Sequence, residues 1–418
     1  MWNTPERRAW LILFAALFTC CALAVGVPAS TWALINSATA EAPMEVRLRA
    51  GILKTFSRFE QERDARVVAL EGRAVEEGTT LIAGPESVGL LTVGGSSSDA
   101  PAINIQLYAD TRLRLDRARY KRFHIANRAD EFVFALEQGR VQIVVEASAE
   151  RRFTLHVHSD LGTVSTEMPG AYSIERAGEE LRVFVAQGIA RVADANAQRS
   201  IQVSGGQRTL ITRARGLAGV LPPVRNLIRN GNFTAPLSRD WEIETLVIQG
   251  STVTGTATIR DAGGRPALFL ERTGSGISWG RTGVRQVINE NVVDRRSLQL
   301  RIDFRILYQE IPVCGGEGSE CPLMVRIDYR TKDGRDAFWI QGFYASGTPS
   351  GTSLPDYIRS NPQNKHIARR LNAPEPPFES GNLLALIPDM QIVKSISIYA
   401  EGHAVRTQVN TVELLLQD

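Results

Sequence analysis

One pentapeptide of the chain has the spacing of a serine nucleophile. Gly276-Ile-Ser278-Trp-Gly280 matches the pattern G-x-S-x-G, in which the serine occupies a sharp turn between a strand and a helix. The flanking residues alternate between apolar and polar side chains, which predicts strands and no helix after the serine. This context argues against a nucleophilic Ser278, and we expect no enzyme activity from it.

Two further pairs of residues have side chains that bind metals. His156 and His158 share one face of a predicted strand, but no carboxylate or cysteine is placed to complete a four-ligand site. Cys314 and Cys321 enclose the flexible sequence Gly-Gly-Glu-Gly-Ser-Glu. We interpret them as a local disulfide in an oxidising compartment, with half of a metal site as the alternative. We expect no metal and no cofactor, since the sequence also lacks a P-loop and a G-x-G-x-x-G motif.

A long uncharged segment near the N-terminus predicts the compartment. Residues 9–35 contain no charged side chain. A helix over Ala9–Val27 would be about 28 Å long, close to the roughly 30 Å of a hydrocarbon layer. Arg7 and Arg8 precede the segment, which favours a single-pass protein of the cell membrane with its N-terminus in the cytoplasm and its bulk outside. A cleaved signal peptide, ending at the A-x-A sequence of residues 38–40, is the alternative.

Beyond this segment the pattern predicts an all-β protein. The 418 residues carry a formal net charge of +3 without a basic stripe, so we expect no nucleic-acid partner. Apolar and polar residues alternate with period two in Leu298–Ile306, Val325–Tyr329 and Phe153–Val157. Such alternation is typical of half-buried strands. Asp333-Gly334 between two apolar segments predicts a hairpin.

Residues 47–212 contain short motifs in a characteristic order. They are a turn at Gly84-Pro85, a strand at Thr111–Leu115, hairpins around Gly139 and Gly188, and a closing Gly206-Gln207. This order resembles a FecR-like domain. The best-known members of that family span a membrane, sense an outer-membrane transporter and control a sigma factor. The resemblance implies an envelope β-domain for sensing or protein contact, whereas residues 1–8 are too short to bind a sigma factor.

Residues 226–418 resemble a different family. They open with Asn226-Leu-Ile-Arg-Asn-Gly-Asn-Phe233, continue to Trp241, and close with the predicted strand Val409–Leu416. This pattern resembles a carbohydrate-binding module of the galactose-binding-like, jelly-roll kind. A β-sandwich of this type would bury Phe233 and Trp241, because aromatic rings bury large areas. The segment between about Gly347 and Asn382 is expected to be a long loop.

The same resemblance implies candidate sugar-binding residues, since members of the family stack sugar rings on exposed aromatic side chains. The candidates are Trp279, Trp339, Tyr344 and Tyr357. Phe338 and Trp339 are neighbours on one predicted strand, so one of the two side chains faces outward. Core packing is the commoner fate of a strand aromatic, and many domains of this fold bind proteins instead of sugars.

Together these features predict a non-catalytic, membrane-anchored binding protein with two β-domains outside the membrane. Its segments are a cytoplasmic stub (1–8), a transmembrane anchor (9–35), a FecR-like β-domain (47–212), a linker (213–225) and a galactose-binding-like β-sandwich (226–418). The expected partners are the membrane and an envelope glycan or envelope protein. The alternative is a transmembrane regulatory sensor that acts through a partner protein.

Overall fold

The computed structural model describes residues 5–94, 102–146, 151–247, 255–273, 279–314, 320–347, 356–360, 364–370 and 377–418, with side chains except at 5–8, 247 and 356–370. The chain divides into two compact units, Met1–Pro222 and Pro223–Asp418. Strands make up most of both units, and one long helix lies near the N-terminus. The predicted fold class is therefore confirmed.

Helix α1 spans Pro5–Ser37, slightly beyond the predicted segment at both ends. Its part from Ala9 to Ser37 is apolar enough to cross a membrane, and none of its most apolar stretch is buried against protein. A helix that is apolar on all sides and not covered by protein matches a hydrocarbon environment, in which its backbone groups are satisfied internally. By length and composition α1 is a candidate membrane span or signal sequence.

Unit 1 continues from α1 into a closed barrel of mostly antiparallel strands. The strands are Thr39–Glu41 (β1), Met44–Ala50 (β2), Leu53–Phe56 (β3), Arg66–Val67 (β4), Arg73–Val75 (β5), Thr80–Ala83 (β6), Val88–Val93 (β7), Ile103–Leu107 (β8), Arg112–Lys121 (β9), Asp130–Val145 (β10), Phe153–His158 (β11), Gly162–Thr166 (β12), Gly170–Ala177 (β13), Glu180–Gln187 (β14), Ile189–Asp194 (β15), Ser200–Ser204 (β16), Gln207–Thr212 (β17) and Gly216–Leu217 (β18). A short 3-10 turn covers Glu62–Asp64.

The long strand β10 joins two sides of this barrel. Its first half pairs with β9 and β11, and its second half pairs with β8 and β13. Gly139 lies where the partners change, with φ of 85°. A Cβ atom at this position would lie 2.4 Å from the Cα atom of Thr111, so only glycine fits. The alternation in Phe153–Val157 predicts its burial correctly, since Phe153, Leu155 and Val157 all lie in the core.

A buried ion pair closes the loop between β9 and β10. Asp130 is fully buried, and its Oδ2 atom lies 3.0 Å from Nε of Arg151. Its Oδ1 atom accepts the backbone N–H of Lys121 at 2.7 Å, and Arg151 also donates to the Lys121 carbonyl at 2.7 Å. Burial raises the pKa of Asp130, against hydrogen bonds and charges that favour the ionised form. The pair therefore ties the end of β9 to the starts of β10 and β11.

Unit 2 is a β-sandwich. Its elements are Val224–Asn226 (β19), Leu237–Asp240 (α2), Glu242–Val247 (β20), Thr256–Asp261 (β21), Pro266–Arg272 (β22), Gly280–Asn291 (β23), Ser297–Gln309 (β24), Leu323–Thr331 (β25), Asp336–Tyr344 (β26), Asp356–Ser360 (β27), Asn364–Arg370 (β28), Phe378–Glu379 (β29), Leu383–Leu386 (α3), Met390–Gly402 (β30) and Val405–Gln417 (β31). Among the described residues they form a six-stranded sheet, β21-β22-β31-β24-β29 with β19 beside β31, and a seven-stranded sheet, β20-β23-β30-β25-β26-β28-β27.

The apolar faces of the two sheets share one core. Phe233 and Trp241 lie in it with ring centroids 6.1 Å apart, as predicted. The hairpin at Asp333-Gly334 is also confirmed, since it joins β25 to β26. The long loop expected between Gly347 and Asn382 is wrong, because β27, β28 and β29 lie within it. Strand pairing also extends into the predicted linker 213–225, where β18 and the start of β19 lie.

The buried ion pair of unit 1 leads to the first prediction. Asp130→Ala leaves the Arg151 guanidinium without its buried counter-ion, and we expect the free energy of unfolding to fall by about 3–5 kcal/mol. Asp130→Asn keeps an acceptor for the Lys121 N–H and should cost less. Urea unfolding of both variants measures the difference. Two variants as stable as the parent chain would show that the pair contributes nothing to the fold.

Candidate functional site

The seven-stranded sheet has one buried face and one outward face. On β25, Val325, Ile327 and Tyr329 pack into the core of the sandwich. The residues between them, Arg326 and Asp328, point to the opposite side and are partly exposed. Because successive side chains of a strand point to opposite sides, the side of the sheet that faces away from the core carries charged residues. We call it the outer face.

The disulfide covers one half of the outer face. Cys314 and Cys321 are bonded, with Cα atoms 4.2 Å apart. They pack in a small cluster of their own with four side chains from β25, β26 and β30, which are Met324, Ile340, Tyr344 and Tyr399. The Cys321 carbonyl also accepts the backbone N–H of Glu401 at 3.1 Å. This half of the outer face is therefore closed.

Two of the aromatic candidates are buried, which corrects the expectation that they stack on a ligand. Trp339 is 1% exposed and lies in the sandwich core. Tyr344 is fully buried beneath the disulfide. Phe338 is the outward member of its pair, but the Arg326 guanidinium lies over its ring, 4.3 Å from the centroid. A sugar ring cannot reach the face of a side chain that is enclosed in protein.

The other two candidates differ in what the structure describes. Trp279 is half-buried and directly precedes β23. Tyr357 belongs to β27, whose side chains lie outside the described part of the chain, and Ser278 lies outside it altogether.

His156 and His158 stack with ring centroids 6.1 Å apart, and His158 Nδ1 lies 2.9 Å from Thr163 Oγ1. Among the described residues no cluster of three or more metal-binding side chains occurs.

The other half of the outer face forms an open groove of about 460 Å³. Six of its lining residues are Arg285 from β23, Arg326 and Asp328 from β25, Asp336 and Phe338 from β26, and Lys394 from β30. The groove thus crosses four neighbouring strands and carries both cations and carboxylates. We call it the polar groove.

A β-bulge places Lys394 in the polar groove. Ser395 pairs with Asp328, but Val393 pairs with Tyr329, so Lys394 is an extra residue between two registered pairs. A bulge of this kind bends the strand and re-aims a side chain. Lys394 Nζ reaches the Asp336 carboxylate at 2.8 Å.

Ion pairs and hydrogen bonds hold the groove side chains in place. Arg326 donates to Asp328 Oδ1 through Nε at 2.8 Å and Nη2 at 2.6 Å. The Ser395 hydroxyl donates to Asp328 Oδ2 at 3.3 Å, and the Arg285 Nη2 atom lies 3.3 Å from the same hydroxyl. The hydrogen bond from Lys394 keeps the pKa of Asp336 below its usual range. The groove therefore presents donors and acceptors that are already paired with one another.

At the covered end of the outer face the electrostatics are different. Glu401 is buried and pairs with Arg281 at 2.8 Å. Burial raises the pKa of Glu401, although Arg281 opposes the shift. Burial also raises the pKa of Tyr399, whose ring lies 4.5 Å from the Arg281 guanidinium carbon. This carboxyl group with a raised pKa is thus at the covered end of the outer face, away from the groove.

Sequence reasoning missed the residues of the polar groove. The alternation of Arg326 and Asp328 with apolar residues predicts a strand with one face in water, and it does not indicate a binding site. The bulge at Lys394 leaves no signal in the sequence, because its register depends on the strands on both sides. The signal that could have indicated the groove is the presence of both a cation, Arg326, and a carboxylate, Asp328, on the outward side of β25.

The sequence matches no family model and no curated protein sequence. Among solved structures, the chain is similar to a candidate anti-sigma factor from Parabacteroides distasonis ATCC 8503, at 13% identity and a TM-score of 0.25. That match covers 34% of this chain and 57% of the other, so it spans little more than half of the anti-sigma factor.

Two other similar structures match over nearly their full length. One is the family 11 carbohydrate-binding module from Clostridium thermocellum, with 12% identity, a TM-score of 0.26, and coverage of 46% of this chain and 94% of that one. The other is the family GH12 endoglucanase 3 of Trichoderma harzianum, with 13% identity, a TM-score of 0.25, and coverage of 42% and 98%. Such identities and TM-scores are too low to assign a function.

The buried carboxyl of Glu401 leads to the second prediction. The relevant pH range lies between 4.5, the ordinary pKa of a glutamate, and the raised pKa of Glu401 in the folded chain. In this range the folded chain binds more protons than the unfolded chain, so the free energy of unfolding falls as pH rises. Glu401→Gln removes this titration, and we expect a flatter pH dependence in that window. Urea unfolding at several pH values between about 4 and about 7 measures the slope.

Asp333→Asn is the control for this measurement. Hydrogen bonds from Arg335 and Thr331 lower the pKa of Asp333 to about 2. Its contribution to stability is therefore lost only as pH falls below the ordinary value of 3.8. The slope above pH 4.5 should be unchanged in this variant, and an equal effect of both substitutions would contradict the assignment to Glu401.

Proposed function

We propose that this chain is a membrane-anchored binding protein and that the polar groove of unit 2 binds a neutral, polyhydroxylated ligand, a glycan of the cell envelope. The observation that carries the proposal is the groove itself, with fixed donors and acceptors on four neighbouring strands. Helix α1 supplies the anchor, with the bulk of the chain on the extracytoplasmic side. The proposed membership of the FecR-like and galactose-binding-like families is compatible with this function.

The chemistry of the groove suits hydroxyl groups. A sugar hydroxyl both donates and accepts a hydrogen bond, and neighbouring hydroxyls of a ring can contact an Arg and a carboxylate at once. Arg326 with Asp328 and Lys394 with Asp336 provide two such donor–acceptor pairs. The third cation, Arg285, lies 3.8 Å from both Glu242 and Glu244 on the neighbouring strand β20. Because every cation of the groove thus has a carboxylate nearby, a neutral ligand fits better than a strongly charged one.

The rigidity of the groove favours binding. The side chains stand on strands, and their ion pairs hold them in place before any ligand arrives, so little conformational entropy is lost on binding. The ring of Phe338 lies beneath the Arg326 guanidinium and is therefore not offered to a sugar for stacking. Recognition here would depend on hydrogen bonds more than on aromatic stacking.

The groove supports binding better than hydrolysis. Glycoside hydrolysis needs a carboxylic acid with a raised pKa beside a second carboxylate. In the described part of the groove, Asp336 is held ionised by Lys394, and Asp328 accepts hydrogen bonds from Arg326 and Ser395. Glu401 has the raised pKa but lies at the covered end and pairs with Arg281.

The third prediction tests the groove by titration calorimetry. The full chain in lipid nanodiscs is titrated with neutral oligosaccharides of glucose, mannose and N-acetylglucosamine. We expect binding by at least one series, and a loss of about 10-fold or more on Arg326→Ala, because a hydrogen bond to a charged group contributes about 1.5–3 kcal/mol.

Arg301→Ala is the matched control. Arg301 lies on β24 in the other sheet, is 46% exposed and pairs with Glu379. Its removal changes the charge by the same amount but leaves the polar groove intact. Absence of heat with every series, or an equal loss in the two variants, would contradict glycan binding in the groove.

A further inference from the structure

We propose that the loop of residues 122–129, between β9 and β10, rests on the membrane beside α1 and inserts Phe123 and Ile125 among the headgroups of anionic lipids. We call it the membrane-proximal loop. The inference rests on the proposed anchoring by α1 and adds a second membrane contact from the folded domain.

Hydrogen bonds tie this loop to the end of the helix. The Asn36 side-chain oxygen accepts the backbone N–H of Asn127 at 2.9 Å, while its amide donates to the Trp32 carbonyl at 2.9 Å. At the other end of the loop, the backbone N–H of Arg122 donates to the Ala38 carbonyl at 3.1 Å. Both ends of the loop are thus within hydrogen-bond distance of the residues at which α1 ends.

The pairing of β1 with β9 also places the membrane-proximal loop beside the end of α1. Strand β1 begins two residues after α1, and its Thr39 pairs with Lys121, the last residue of β9. Trp32, one turn before Asn36, is exposed on the helix surface. Tryptophan concentrates at the boundary between hydrocarbon and water, so Asn36 and the loop bound to it lie at the headgroup level of an inserted α1.

The side chains of the loop suit that level. Phe123 is 43% exposed and Ile125 is 68% exposed. A turn holds them in place, since the backbone N–H of Ala126 donates to the Phe123 carbonyl at 3.1 Å. Bulky apolar groups exposed together on a loop point to a binding surface, and at the headgroup level the apolar phase available to them is lipid.

Charge favours an anionic lipid surface. Residues 121–131 and 151–152 contain five cations and two carboxylates: Lys121, Arg122, Arg128, Arg151, Arg152, Asp130 and Glu131. Arg128 pairs with Glu131, and Arg151 pairs with Asp130. Arg122 is exposed and makes no ion pair with any described residue. A net positive loop beside a bilayer is attracted to anionic headgroups.

The loop is held in this shape without lipid. Arg152 donates to the Asn127 carbonyl at 3.1 Å and to its side-chain oxygen at 2.5 Å. The buried pair of Asp130 and Arg151 closes its base. Little conformational entropy would therefore be lost when the loop meets the membrane.

Spin labels in the full chain test the inference. Cys20 and Cys21 are replaced by Ala, and Cys314 and Cys321 are already joined in a disulfide. A label on Ile125→Cys is compared with one on Ile52→Cys, in nanodiscs of phosphatidylcholine with and without phosphatidylglycerol. Ile52 is 55% exposed. It lies near the start of β9, at the end opposite to the membrane-proximal loop. Its neighbour Leu53 pairs with Ala83, and the Ala83 N–H donates to the carbonyl of Thr111, the residue before β9.

We expect the label at position 125 to be several-fold more accessible to dissolved oxygen than to an aqueous nickel complex, and the label at position 52 to show the reverse. Arg122→Glu should reduce the difference only in discs that contain phosphatidylglycerol. Equal accessibility of the two labels, or shielding of position 125 from both reagents by a protein partner, would overturn the inference. A chain that does not elute with the nanodiscs would refute anchoring itself, which is a distinguishable result.

Discussion

The sandwich of unit 2 depends on one constraint, which is that a sheet with one face in a core must present its other face to something else. In the seven-stranded sheet the core side carries Val325, Ile327 and Tyr329, and it packs against the six-stranded sheet. The outer face then has two different covers. The disulfide closes one half over Tyr344 and Tyr399, and the other half stays open as the polar groove.

The charges of the open half have a structural role as well as a proposed binding role. Paired cations and carboxylates on an exposed sheet face contribute little to stability because solvent screens them. Their value lies in geometry, since each partner restricts the rotamers of the other. The bulge at Lys394 adds a donor that regular alternation would place elsewhere. The sheet is thus irregular at the bulge, and its outer face carries an ordered array of polar atoms.

Alternation and aromatic content were enough to predict much of the fold. Phe153–Val157 buries every second side chain as predicted. The predicted alternation over Leu298–Ile306 holds as far as Ile302, and after the register shift at Asp303 the side chains of Phe304 and Ile306 are only partly buried. Phe233 with Trp241 lies in the core. The candidate site was less predictable because its geometry depends on contacts between residues far apart in the sequence. Whether Phe338 or Trp339 faces outward depends on strand register, and the burial of Tyr344 depends on a disulfide that packs over it. Both are long-range contacts that a local pattern does not contain.

Carbene footprinting of the full chain tests most directly whether the polar groove is the ligand site. A diazirine reagent labels exposed side chains in the presence and absence of a saturating oligosaccharide, and mass spectrometry locates the change. We predict protection of the peptides that contain Phe338 and Lys394, with unchanged labelling at Arg301 and Arg406 on the six-stranded sheet. Protection of the six-stranded sheet, or no protection of Phe338 and Lys394 at saturation, would contradict the account.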